Sequence, residues 1–223
     1  MKTPSLTVII IFLTGCSTIP QSPGPSEKSS LREISLAVQY VDSDNDPVQP
    51  EYHPENVVLV FPHIPGEIFG SPSGDPILIT PVSVGDSVTL DLAKAEQALA
   101  GELSALKPGP NTDGLVITPA NAQFTRIGTF PYNARTFEDI GGGGFTDPAS
   151  RKLMVLMYFD RPCTLTGEIT ADGSVFRHAI HIPDRGFHWI QYDKPLKNEF
   201  VLTRGAPVSD IVFSITLYHL KRI

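Results

Sequence analysis

From Ile34 the chain alternates. Ile34, Leu36, Val38 and Tyr40 are apolar, and Ser35, Ala37 and Gln39 stand between them. A period of two puts one set on each side of an extended chain, so the pattern predicts a half-buried β-strand. Asp42-Ser43-Asp44-Asn45-Asp46-Pro47 closes it as a turn. Val57 to Phe61 is uniformly apolar and reads as a second strand, while Ile77 to Val84 and Ser87 to Leu90 are shorter ones, broken at Pro81 and Gly85. The period then changes. Leu92, Ala95, Leu99, Leu103 and Leu106 recur at steps of three and four, which predicts one helix capped by Asp91 and stopped by Pro108-Gly109-Pro110.

Beyond the helix the pattern returns to strands at Leu115 to Thr118, Gln123 to Phe130 and Leu153 to Phe159, the last apolar throughout and so buried on both faces. Residues 133–152 read as a long mobile loop around Gly141-Gly142-Gly143-Gly144, because glycine has no side chain to pack and no preferred φ. Leu165 to Ala171 and Ser174 to Ile182 flank Asp172-Gly173, a dipeptide that suits the positive φ angles of a tight hairpin. Phe187 to Tyr192, Phe200 to Thr203 and an alternating run through Ile211, Phe213, Ile215 and Leu217 complete the set. About ten short strands with turns between them and a single short helix predict a mainly β, sandwich-like fold.

The first residues follow a different rule. Lys2 precedes the apolar run Leu6-Thr7-Val8-Ile9-Ile10-Ile11-Phe12-Leu13, which is far short of the roughly 20 residues that span a bilayer. A positive start and a short apolar run are the marks of an export signal. The run ends in Leu13-Thr14-Gly15-Cys16, which resembles the lipobox of bacterial lipoproteins. That resemblance covers residues 1–17. It implies cleavage before Cys16, a diacylglycerol on the Cys16 sulfur and acylation of the new amino group. Ser17 in place of aspartate resembles the sorting pattern that leads to the outer membrane. Residues 16–31 hold Pro20, Pro23, Pro25 and several serines, a composition that buries no core and serves as a flexible tether. Residues 32–223 are then read as a single domain, in the periplasm or at the surface.

Charge and composition narrow the partners. The formal net charge is −7, spread along the chain, and no basic stripe suggests nucleic acid. The 21 prolines and 18 glycines accord with many turns. Cys163 is the only cysteine besides Cys16; lipidation of Cys16 leaves no intramolecular disulfide, and Cys163 reads as a small buried hydrophobe.

Candidate chemistry is sparse. Asp42, Asp44 and Asp46 begin a calcium-loop pattern, but Pro47 and His53 stand where glycine and glutamate belong. His178 and His181 are three apart on a strand and point to opposite faces, so they cannot share one ion without a bulge; His188 lies beyond a turn. Phe187, Trp189 and Tyr192 form the candidate aromatic binding site, with Phe187 and Trp189 on one strand face and Tyr192 on the other. Asp160, Glu168, Asp172 and Asp193 are scattered carboxylates with no visible pairing. Gly70-Ser71-Pro72-Ser73-Gly74 lacks the order of a nucleophile elbow, and Thr146 breaks the glycine run as a dinucleotide loop.

No cofactor is implied. The expectation is a membrane-anchored envelope lipoprotein with a non-catalytic structural or interaction role and an envelope protein as partner. The alternative is a sandwich that binds a carbohydrate or peptide, and behind it a hydrolase. In layout the chain resembles the small sandwich lipoprotein of the type VI secretion membrane complex, though no motif residue carries that likeness.

Overall fold

The computed structural model describes residues 32–41, 48, 57–68, 72–82, 87–107, 112–136, 138–205 and 211–217. Cys16 with its tether and the acidic turn Asp42, Asp44, Asp46 lie outside them. In chain order the elements are β1 (Glu33–Val41), β2 (Val57–Pro65), β3 (Ser73–Pro81), β4 (Ser87–Asp91), α1 (Leu92–Ala98), β5 (Ser104–Ala105), β6 (Leu115–Thr118) and β7 (Gln123–Ile127). They continue as β8 (Phe130–Asn133), β9 (Gly141–Asp147), β10 (Lys152–Phe159), β11 (Cys163–Ala171), β12 (Ser174–Ile182), β13 (Gly186–Leu196), β14 (Glu199–Arg204) and β15 (Val212–Leu217). Among the described residues the protein is thus mainly β with one short helix, as the alternation and the turn spacing predict.

The strands form one hydrogen-bonded path, β4-β1-β15-β9-β10-β13-β14-β12-β11-β6, with β2 beside it pairing β3, β7 and β8. The closing strand lies inside this path, parallel to β1 with Tyr40 opposite Ile215 and antiparallel to β9 with Gly144 opposite Ser214. Strand β10 pairs fully with β13, Leu153 opposite Tyr192 and Leu156 opposite Trp189.

This β10–β13 ribbon divides two hydrophobic cores. Met154, Leu156, Tyr158, Phe187 and Trp189 face the first, together with Leu59 and Phe61 of β2, Leu36 and Val38 of β1, and Phe213 of β15. Met157, Phe159 and Ile190 face the second, with Phe124, Leu165, Ile180 and Leu202. Packing on both sides explains why Leu153 to Phe159 reads as continuously apolar: alternation vanishes when neither face meets water. In the first core β2 and β3 stack over the β1–β15–β9–β10–β13 face in a sandwich-like layering.

The hairpin forms where the dipeptide requires it. Asp172 and Gly173 take φ values of 50° and 72°, and β11 and β12 pair from Ala171–Ser174 to Cys163–Ile182. The helix is shorter than its leucine stripe. Asp91 accepts from the Lys94 backbone N–H at 2.9 Å, as a cap should, but α1 ends at Ala98. The chain turns at Gly101, whose φ of 89° no helix accommodates. Leu103 packs on the first core and Leu106 on the second, from non-helical backbone, so the continued spacing is coincidental. The stretch Gln123 to Phe130 splits into β7 and β8 at Gly128, whose N–H is drawn 2.8 Å from the Pro62 carbonyl.

The largest correction concerns residues 133–152. They are not a free loop, because Gly141–Asp147 is strand β9, held by β15 along one edge and by β10 at its C-terminal end. Backbone pairing with β15 along the glycine run, and with β10 from Phe145 onward, supplies the order that glycine side chains cannot.

Candidate functional site

Strand β10 has one edge along β13; its other edge forks. Its first residues pair with β9, from Lys152–Asp147 to Met154–Phe145. Its last residues pair with β7, from Met157–Arg126 to Phe159–Phe124. Between them β9 and β7 part, and a groove of about 480 Å³ opens in the fork. One bank is Arg126 through Phe130 and the other is Gly141 through Phe145; Leu153, Val155 and Tyr192 form the floor, and Phe176 and Phe200 close one end. A second hollow of about 740 Å³ shares Leu153, Tyr192 and Phe200 and runs on to Arg151, Asp193 and Lys194. Volumes of this order match ligand sites in other proteins, ~300–1,000 Å³.

The glycine run keeps the groove open. Gly143 faces the first core, where an added Cβ would stand 2.6 Å from the Phe213 ring. Gly144 faces the other way, and its Cβ would meet only Leu153, at 3.6 Å. Any larger residue at Gly144 would stand in the space beside Leu153, a side chain 48% exposed.

The aromatic lining is partly self-occupied. Phe176 and Phe200 stack with centroids 4.8 Å apart, and the Lys194 ammonium sits 5.4 Å over the Phe200 ring. Burial pushes the Tyr192 hydroxyl up to about 12, against the opposing pull of Arg126, so it stays a neutral hydrogen-bonding group. Arg126 donates from Nη1 to the Ile68 carbonyl at 2.9 Å and, among the described residues, pairs with no carboxylate. Lys152 is matched by Asp193 at 2.5 Å, and that contact leads the lowering of the Asp193 pKa.

Of the aromatic trio singled out from sequence, only Tyr192 lies here. Phe187 and Trp189 are buried in the first core, on the opposite face of β13, where Trp189 packs edge-on against Phe145. His178 is buried and His181 exposed, on opposite faces as their spacing requires. His188 hydrogen-bonds the Asp184 carbonyl at 2.9 Å, and burial lowers its pKa. Among the described residues no three His, Cys, Asp or Glu side chains gather closely enough to hold a metal ion. Cys163 is a buried free thiol with its pKa raised to about 11 by burial, which makes it unreactive.

The other candidate carboxylates are engaged elsewhere. Glu168 binds Arg177 at 2.8 Å, Asp160 binds Arg161 at 2.7 Å, and Asp172 forms the hairpin turn. A second polar group, Glu96–Tyr158–Arg185, ties α1 to β10 and to the turn before β13. Tyr158 donates to Glu96 at 2.9 Å and accepts from Arg185 Nε at 2.7 Å. Burial, with Glu96 adding to it, raises Tyr158 to about 12, so this is a clamp rather than an acid–base centre.

Sequence reading missed Arg126, Phe176 and Phe200. Phe176 and Phe200 meet because β12 and β14 run parallel, with Phe176 opposite Phe200. No local pattern announces that pairing. The glycine run was visible, but its strand character depends on partners far along the chain. No family model, curated protein or solved structure matches the chain.

Proposed function

We propose that the chain is a lipid-anchored protein of the bacterial outer membrane whose β region has a non-catalytic interaction role, exercised through the β9–β7 groove. The anchor rests on Leu13-Thr14-Gly15-Cys16. The observation that carries the interaction role is Arg126, a guanidinium without a carboxylate partner among the described residues, set in an apolar groove that a glycine strand holds open. A half-buried cation beside apolar walls is a recognition device, since an incoming anion gains both charge pairing and burial. Three of the candidate carboxylates, Asp160, Glu168 and Asp193, are tied into ion pairs with Arg161, Arg177 and Lys152, which favours binding over chemistry.

A photo-crosslinking residue placed at Leu153 tests this in cells of the source bacterium. The expected result is a discrete adduct, lost when Gly144→Leu fills the groove. The same probe at Val116, an exposed residue outside the groove, should give none. Equal labelling at both positions, unaffected by Gly144→Leu, would remove the groove from the reading.

A further inference from the structure

A groove on one face of a sheet touches alternate residues of each strand, because side chains alternate. This groove touches consecutive ones: Gly141, Gly142, Gly143 and Gly144, then Leu153, Met154 and Val155. It therefore exposes strand edges. The registers agree. β9 is paired with β15 from Gly141 to Thr146, but with β10 only from Phe145 onward. In an antiparallel pair alternate residues turn their N–H and C=O away from the neighbour. Gly141 is buried and its N–H donates to the Asp139 carboxylate at 2.9 Å; beyond it, alternate members of the run direct these groups into the fork, where no described strand is paired with them. Glycine inside a strand marks a place where another backbone can approach closely.

From this edge, and resting on the interaction role proposed above, we infer that the groove takes an extended, acidic polypeptide segment of a partner protein, which adds as a strand alongside Gly142–Gly144. Main-chain hydrogen bonds to a sheet edge hold such ligands, and pockets for alternate side chains select them. Three residues at ~3.3 Å each give an edge of about 10 Å, enough for three or four partner residues. Charge selects the acidic class. The groove and its continuation carry Arg126, Arg151, Lys152 and Lys194 against the single acid Asp193, on a protein of net charge −7. A sugar is disfavoured because Phe200, the ring placed to stack on it, already has Phe176 on it and Lys194 over it.

The test uses the full-length protein in lipid nanodiscs and a phage library of random dodecamers. The best peptide is resynthesised with its acids changed to amides, and in two forms N-methylated on alternate residues; dodecanoate and chitotetraose are run beside it. The expected result is enrichment of acidic peptides, at least tenfold weaker binding for one N-methylated form and not the other, and at least tenfold loss with Gly144→Leu. Arg126→Gln should bring the acidic peptide down to its amide analogue while leaving the affinity of the amide analogue in place. Peptide binding that both N-methylated forms retain would overturn strand addition, and so would groove-dependent binding of dodecanoate or chitotetraose alone. In either case an adduct at Leu153 would still support the interaction role. Loss of that adduct together with indifference of every probe to Gly144→Leu would remove both.

Discussion

Gly143 and Gly144 are neighbours in β9, yet the structure asks opposite things of them. A methyl group at Gly143 would press on Phe213, which is fully buried and packed edge-on against Phe145. Overpacking a filled core costs about 1–3 kcal/mol, so Gly143→Ala should destabilise the protein by that much. A methyl group at Gly144 meets only ordinary contact, and alanine lowers the entropy of the unfolded chain. Gly144→Ala should therefore be neutral or stabilising by ~0.5 kcal/mol. Urea unfolding of the two variants checks the contrast, and equal effects would mean that β9 does not present these faces. His178 shows a different constraint. It is 4% exposed, on the same face of β12 as Ile180 and Ile182 of the second core, with the Phe176 and Gly167 backbone beside its ring. Burial lowers its pKa from 6.5 to about 4, and the nearby Phe176 and Gly167 backbone offsets only part of that. The unfolded chain takes up this proton first as pH falls. Stability is thus intact above about pH 6.5 and declines toward pH 4, and His178 alone removes about 2–3 kcal/mol by pH 4.5. His178→Leu should flatten the difference between urea unfolding at pH 7 and at pH 4.5 by that amount. His188, lowered in the same direction, keeps some acid sensitivity in both proteins.

Elements were legible in the sequence where their order is local. The alternation of β1, the capping of α1 by Asp91 and the Asp172-Gly173 hairpin need only a few adjacent residues, and all three form as their patterns predict. Legibility ended where partners are distant. The leucine stripe outran the helix because Gly101 turns the chain while Leu103 and Leu106 still find cores to enter. Strand β9 was invisible as a strand because glycine carries no strand propensity; its order comes from Ser214 and its neighbours some 70 positions away. The groove was hidden for the same reason, since it is a gap between strands whose pairing the sequence does not state. Only Tyr192 of its lining stood among the candidates, picked for its ring rather than its neighbours. The fork makes a prediction of its own. Amide exchange along Gly142–Gly144 should alternate, slow where the N–H bonds β15 and fast where it faces the groove. Uniformly fast exchange would restore the free loop, and uniformly slow exchange would mean that the edge is already covered.

The two cores share the β10–β13 wall. On the lipid-anchored reading proposed above, the groove meets partners from wherever Cys16 is held, and the anchor decides which partners are within reach. Each buried methylene contributes about 0.8 kcal/mol, and a single acyl chain binds a bilayer only marginally. The lipobox resemblance implies two or three chains on the one residue, which multiplies that affinity into near-permanent attachment. Electrostatics does not rival it, because a protein of net charge −7 is repelled by anionic headgroups. Among the described residues no helix is long and apolar enough to cross a membrane, a statement that does not bear on strands. Cys16→Ser should consequently shift the protein from the detergent phase to the aqueous phase on Triton X-114 partitioning, or leave it unprocessed with residues 1–15 attached. Metabolic labelling with palmitate should disappear in the same variant. The processed variant should keep the wild-type unfolding midpoint, because both described cores are built from Ile34 onward. If Cys16→Ser stays with the outer-membrane fraction through a high-salt wash, the attachment lies elsewhere in the chain, and the groove is presented from a different point than the tether implies.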